Sequence, residues 1–366
     1  MKLETTREEL LKPLQLVTSV VERRQTLPIL SNVLIKLKNG TLSVSATDLE
    51  VELVTTSFID ITEEGETTLP ARKILDICKT LPEGAKLTLT VDGEKALLTS
   101  GRSRFSLSTF PAKDFPKVDE FAQVDGFSVS EAELKKLIDR TQFSMAQQDV
   151  RHYLNGLMLE LRDSLLVSVA TDGHRLSYCK IETDIKNDEI KQVIIPRKGI
   201  QELSRLLSDT ENKVTVSIGT NHIAIDILGI KFTSKLIDGK FPDYERVLPD
   251  SSEIQLTADR ETLRQALIRT SILSNEKYRG IRLALSNNKL SIQAYNPEQE
   301  KAEEEMEVSY EGDDIEVGFN VNYLLDALTA IDEETVLISM MDPNSSCLVQ
   351  KAEDADCKYI IMPMRL

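Results

Sequence analysis

One pattern occurs three times along this chain, as "REELLKPLQLV" at 7–17, "EAELKKLIDRT" at 131–141 and "RETLRQALIRT" at 260–270. Apolar residues return at helical spacing in each copy, with Leu10, Leu134 and Leu263 at the matching place. The residues just before the copies, Thr6, Ser130 and Asp259, are good helix caps. Glu9 and Glu133 complete a capping box in the first two copies, since a glutamate three residues past the cap reaches back to the cap amide. The third copy has Thr262 there, which predicts a weaker cap. A chain that repeats one helix start in this way is constrained to fold as similar modules laid end to end.

The order continues past the helix. "LSVSATDLE" (42–50), "LVSVATDGH" (166–174) and "LSIQAYNPE" (290–298) each alternate apolar and polar residues and then turn, which reads as a strand. "PARKILDICKTL" (70–81), "PRKGIQELSRLL" (196–207) and "NVNYLLDALTAI" (320–331) read as short amphipathic helices. The first two carry Pro near the helix start, where a missing N–H costs nothing. Paired strands close each unit, and each third has the length of an ordinary domain. The strands cluster in hairpins without βαβ alternation, so one large α/β sheet is disfavoured. The expected fold is α+β: three tandem similar domains with antiparallel sheets, at 1–124, 125–250 and 251–366.

The formal net charge of −16 argues against general affinity for nucleic acid. The three thirds carry −2, −3 and −11, so the first two leave room for a local basic face. The start of the chain, "MKLETTREELLKPLQ", has acids where a signal peptide needs an apolar run, and a cytoplasmic protein is expected. Cys78, Cys179, Cys347 and Cys357 are scattered, without a C-x-x-C pair. That spacing predicts buried, reduced thiols, with no disulfide framework and no metal site.

Catalytic signatures are absent from the sequence: there is no phosphate loop, no HExxH, no GxSxG and no dinucleotide-binding glycine pattern. Asp172 and His174 in "ATDGHR" are the nearest approach to an acid/base pair. The first copy has "ATDLEV" in that slot and the third "AYNPEQ", so the turn-forming Asp or Asn recurs and the histidine does not. A structural turn is the expected role, and no catalytic residue or cofactor is assigned.

Basic residues concentrate on the repeated helices: Lys12, Arg72, Lys73, Lys135, Lys136, Arg140, Arg197, Lys198 and Arg205. Helices sharing one surface would make that surface positive within an acidic molecule. Aromatics are 5% of the chain, without the stacking pattern of a single-strand reader. Sequence-independent contact with duplex DNA fits best.

At this point "RQTLPILSNVL", "ATDLE", "LPARK", "SGRSRFSLSTFPAKDFP", "QFSMAQQDVRHYLNG", "ATDGHRL", "FTSKLIDGKFPDYERVLP", "SILSNEKYRGIRL", "YNPEQE", "IEVGFNVNYLLDAL" and "MPMRL" are recognisable. They run the full length, in order, and closely resemble the bacterial sliding clamp, the DNA polymerase III beta subunit, in its proteobacterial form. The resemblance implies a DNA clamp fold, with sheets outside and two helices per domain inside, that closes as a head-to-tail homodimeric ring. It implies a non-catalytic processivity factor that encircles duplex DNA and tethers the replicative polymerase. Implied partners are the DNA polymerase III alpha subunit and other polymerases, the clamp loader complex, and repair and ligation factors that bring linear peptide motifs. No membrane partner is implied, and the expected location is cytoplasmic, with the nucleoid.

Carried over by position, the DNA-facing residues are Arg24, Arg72, Lys73, Gln148, His152, Tyr153, Arg197 and Lys198. The dimer seam pairs the "GRSRFSLS" strand with the third domain of the other copy. Lys73, Arg102, Phe105 and Leu107 would meet Ile272, Leu273, Glu298 and Glu304. Lys301 stands where the family form has an acid opposite Arg104. The partner-peptide pocket draws on Leu154, Thr171, Gly173, His174, Arg175 and Leu176. It also takes Pro242, Arg246 and Val247, then Asn320, Tyr323 and Ser346. The chain end closes it with Ile360, Met362, Pro363, Met364, Arg365 and Leu366. Two further readings compete: a scaffold of three repeats that binds proteins and never meets DNA, and a repeat-built hydrolase using Asp172 and His174.

Overall fold

The computed structural model describes residues 1–22, 27–117, 125–249, 252–353 and 356–365. Among these, six α-helices fall in repeated pairs: α1 (Arg7–Val17) and α2 (Ala71–Thr80), α3 (Glu131–Asp139) and α4 (Arg197–Leu206), α5 (Arg260–Ser271) and α6 (Val321–Ala330). Their starts follow the capping chemistry in the sequence. Thr6 Oγ1 accepts from the Glu9 amide while the Glu9 carboxylate accepts from the Thr6 amide, a complete box. Ser130 and Glu133 do the same at α3. At α5 only the Asp259 carboxylate acts, accepting from the Thr262 amide at 2.7 Å. None of the helices is long and apolar enough to cross a membrane.

The strands build four antiparallel sheets among the described residues, of five, eight, seven and four strands. The chain forms two compact units, Met1–Lys135 with Lys198–Leu236, and Lys136–Arg197 with Ile237 onward. The second repeat is divided between them, because its strands enter two different sheets. In the first unit the eight-stranded sheet is continuous across two repeats: Ile230–Lys235 of the second pairs with Val51–Phe58 of the first, Ile230 opposite Thr55 and Ser234 opposite Val51. In the second unit Cys357–Ile361, the last strand of the third repeat, pairs with the start of Arg175–Pro196 in the second, from Arg175↔Ile361 to Cys179↔Cys357. Both seams obey one rule: the final strand of a repeat is laid against the strand that follows the "ATD" turn of the repeat before it. The other two sheets end in unpaired edges, Ser103–Ser108 in one and Lys301–Glu307 in the other. The sequence boundaries at 124/125 and 250/251 fall beside residues 118–124 and 250–251, outside the described residues.

Cores form where helical stripes meet sheet faces. In the third repeat Leu263, Ala266 and Leu267 of α5 and Leu324, Ala327 and Leu328 of α6 are buried with Ile281, Ile292 and Phe319 of the strands. Each fully buried leucine contributes about 1.5–3 kcal/mol.

The expectation of four reduced thiols is corrected in part. Cys179 and Cys357, 178 residues apart, form a disulfide, while Cys78 and Cys347 are free and buried. Strand register brings the pair together, since the two residues lie directly opposite in the ladder. No local spacing encodes that.

Candidate functional site

The turn "ATDGHR" is built twice from one hydrogen-bond plan. Thr171 Oγ1 donates to the Arg175 carbonyl at 2.6 Å and accepts from the Gly173 amide at 3.1 Å. Asp172 Oδ1 accepts from the amides of His174 and Arg175. In the first repeat Thr47 and Asp48 treat Val51, Leu49 and Glu50 in the same way. The Asp172 carboxylate is thus occupied by backbone amides and by Arg175 Nε at 3.2 Å, which supports a turn and leaves it poorly placed as a catalytic acid or base. Gly173 has φ +88°, and a Cβ there would sit 2.9 Å from Arg151 Nη2, so the position suits glycine alone.

Around this turn the second unit opens an apolar cleft of about 190 Å³. The structure gathers in its wall Leu154, Thr171, Gly173, Arg175, Leu176, Pro242, Val247, Ile360 and Met362, all read from the sequence. Arg151, Tyr153 and Tyr244 also line it. Arg151 is held by Asp149 through two side-chain hydrogen bonds of 3.1 and 2.9 Å. Those bonds hold the Asp149 carboxyl down at about 2. Tyr244 donates to the buried Glu160 carboxylate at 3.0 Å, and burial together with that negative partner pushes its phenol up. Sequence reading missed Arg151 and Tyr244; the one available signal was their place beside the conspicuous "RHYLNG" and "FPDYERV" segments.

The chain end runs along the cleft. Met362 N donates to the His174 carbonyl at 2.9 Å and Met364 N to the Gly318 carbonyl at 2.8 Å, while the Met362 side chain stays 43% exposed. His174, Arg246, Asn320, Tyr323, Ser346, Pro363, Met364 and Arg365 are not part of the cleft wall itself. Asn320 caps α6 by accepting from the Asn322 amide, and Arg246 is exposed and paired with Asp243. Tyr323 lies under the Arg175 guanidinium, 4.5 Å from its ring centroid. Leu366 lies outside the described residues.

Of the basic set, Arg72, Lys73, Gln148 and His152 are exposed. Gln148 holds a left-handed backbone, φ 57°, in the loop before His152. Arg197 donates to the Met145 carbonyl at 2.9 Å. Lys198 is paired with Glu22 and Asp48; burial opposes its charge, yet those bonds outweigh it and raise its pKa. Tyr153 faces the cleft, and Arg24 lies outside the described residues.

The seam set divides between the two free edges. Arg102 precedes the strand Ser103–Ser108, which contains Phe105 and Leu107. Glu304 lies on Lys301–Glu307 and accepts from Arg269 Nε at 3.0 Å, and Lys301 pairs with Glu303 at 2.5 Å. Ile272, at the end of α5, is 73% exposed, and Lys73 and Glu298 are exposed as well. Leu107 is already buried within its own sheet.

Three family models match the chain: the N-terminal domain of the DNA polymerase III beta subunit over 1–119, the central domain over 128–243 and the C-terminal domain over 245–365. A beta sliding clamp of Pseudomonas aeruginosa is 55% identical over 361 residues, 98% of each chain. One from Escherichia coli is 49% identical over 367 residues, all of both chains. The crystal structure of the DNA polymerase III subunit beta from Pseudomonas aeruginosa superposes with a TM-score of 0.98 at 54% identity over both full chains. A sliding clamp from Bartonella birtlesii, solved bound to griselimycin, gives 0.96 at 35% identity, again over both full chains.

Proposed function

The chain belongs to the DNA polymerase III beta subunit family, as a non-catalytic sliding clamp and processivity factor, and from that premise we propose that two copies close head to tail around duplex DNA and that the Met362 cleft receives partner peptides. The observation that carries the ring is the seam rule. Repeat one is joined to repeat two, and two to three, by a last strand laid on the strand after the "ATD" turn. Repeat one keeps its last strand, Ser103–Ser108, as a free edge, and repeat three keeps its counterpart, Lys301–Glu307. A second copy satisfies both edges by the same pairing, and because the contact is heterologous it must close on itself or form a filament. Closure by two gives a ring of six similar domains, with 1–124, 125–250 and 251–366 as its modules.

Enclosure explains an acidic protein on DNA. Tight grip on phosphates would brake sliding, while topological linkage keeps a tethered polymerase at high effective concentration without strong contacts. Arg72, Lys73, Gln148 and His152 are the groups we assign to the duplex, with Arg24 and the helix-start pair Arg197 and Lys198 contributing. That enclosure also keeps the clamp with the nucleoid.

The cleft suits linear motifs with leucine or phenylalanine anchors: Leu154, Leu176, Val247 and Ile360 give apolar walls, and the flexible Met362 thioether adapts to varied shapes. The polymerase alpha subunit, other polymerases, the clamp loader and repair and ligation factors are the partners we assign to it. One experiment tests the ring: the native mass in solution should be that of a dimer, and protein loaded on a nicked circular duplex should be retained until the circle is linearised. Release that ignores topology, or a monomeric mass at micromolar concentration, would refute it.

A further inference from the structure

At the other end of the ladder that carries the peptide cleft, the second unit holds a smaller cleft of about 180 Å³. Cys357 forms part of its wall, together with Lys136, Arg140, Asp332 and Asp356. Tyr359 lines it too, and its hydroxyl is buried without a hydrogen-bond partner among the described residues. An unpaired buried polar group costs about 1–3 kcal/mol, so its presence on a cleft wall points to a ligand. Cations and carboxylates alternate here: Arg140 Nη2 donates to Asp332 Oδ2 at 2.8 Å, and Lys136 Nζ lies 4.0 Å from Asp356 Oδ2. Such a wall matches a small molecule carrying both signs of charge.

Behind the wall, Cys357 is bonded to Cys179, which is fully buried. The bridged sulfur open to attack is therefore that of Cys357. The remaining cysteines are out of play, since burial pushes the Cys78 thiol up to about 11 and the Cys347 thiol to about 12.

We propose that this cleft is a thiol–disulfide exchange site for a small zwitterionic thiol of the glutathione class. The incoming thiolate bonds to the Cys357 sulfur as the bridge breaks, and Cys179 leaves with the electron pair and takes up a proton. A second thiolate then attacks the small thiol's sulfur in the mixed disulfide, releasing Cys357 as a thiolate. Two small thiols are oxidised to one disulfide while the bridge is reduced to two cysteines; the same steps reversed, with the small disulfide as oxidant, remake it. The Tyr359 hydroxyl, Lys136 and Arg140 bind the carboxylates of the small thiol.

The test uses the full folded chain, without denaturant, in mixtures of reduced and oxidised glutathione. Accessible thiols are counted by maleimide labelling after quenching, and products are followed by intact mass. We expect the bridge to open and reclose with the glutathione ratio, and Cys179→Ser to gain one glutathionyl group at Cys357. Tyr359→Phe removes an unpaired hydroxyl and keeps the ring, so it should fold normally and exchange with glutathione several-fold more slowly, with 2-mercaptoethanol exchange unchanged. A bridge that opens only on unfolding, a Cys179→Ser chain that stays unmodified, or a Tyr359→Phe rate equal to wild type with both thiols would overturn the proposal.

Discussion

Arg175 Nη1 donates a 2.5 Å hydrogen bond to Asp326 Oδ2, tying the "ATDGHR" turn of the second repeat to α6 of the third, 151 residues away. The same guanidinium donates to Asp172 and, at 2.6 Å, to the Phe143 carbonyl, and stacks over Tyr323. Arg175 is therefore a strut of the cleft, with its donors already spent, and contacts a bound peptide through its flank.

Arg175→Ala should destabilise the fold. Asp326 still meets solvent, so the expected cost is about 2 kcal/mol, below the roughly 3–5 kcal/mol of breaking a fully buried pair. Arg175→Lys should recover little of it, because an ammonium cannot span three acceptors in a fixed fork. Urea unfolding followed by circular dichroism measures both.

Met362→Ala should weaken a labelled leucine- or phenylalanine-containing peptide by about tenfold, as loss of one pocket anchor does, and leave unfolding unchanged because the side chain is largely exposed. Deleting residues 362–366 should abolish peptide binding while the native mass remains dimeric. Fluorescence anisotropy and native mass spectrometry read the two effects separately.

Ile272→Asp should convert the dimer to a monomer. The residue is exposed in the single chain, so its own fold should change by no more than about 0.5 kcal/mol, whereas the same charge buried in a seam cannot be solvated. Sedimentation velocity across a concentration series checks the state, and thermal melting checks the fold.

The Asp149–Arg151 pair predicts an acid-resistant cleft wall. Asp149 titrates near 2 in the folded chain against an ordinary 3.8, chiefly because Arg151 hydrogen-bonds the charged form. A depressed carboxyl supports the native state above its unfolded pKa and withdraws that support as pH falls from about 4 towards about 2. Carboxyl chemical shifts followed by NMR should show Asp149 still ionised at pH 3, and Arg151→Ala should return its midpoint to near 4.

How much the sequence revealed depends on the distance over which each interaction acts. The Thr6–Glu9 and Ser130–Glu133 boxes and the one-sided Asp259 cap were legible because all their partners lie within four residues. The Thr171–Asp172 turn was legible for the same reason, and its echo at Thr47–Asp48 distinguished a turn from a catalytic pair. Arg151 and Tyr244 escaped because nothing in their own segments shows which cavity they would face. Tyr153 was assigned to DNA by position, and only its packing places it on the cleft.

By itself the sequence determined the modules, their helices and turns, the acidic balance and the family, since these rest on local hydrogen bonding, on apolar periodicity and on motifs read in order. Tertiary structure decided which strand edges were joined and which left free, that Cys179 meets Cys357, and that Arg175 finds Asp326. Those outcomes depend on the register of whole ladders, in which many weak contacts between distant segments are summed, and no short stretch of chain carries that sum.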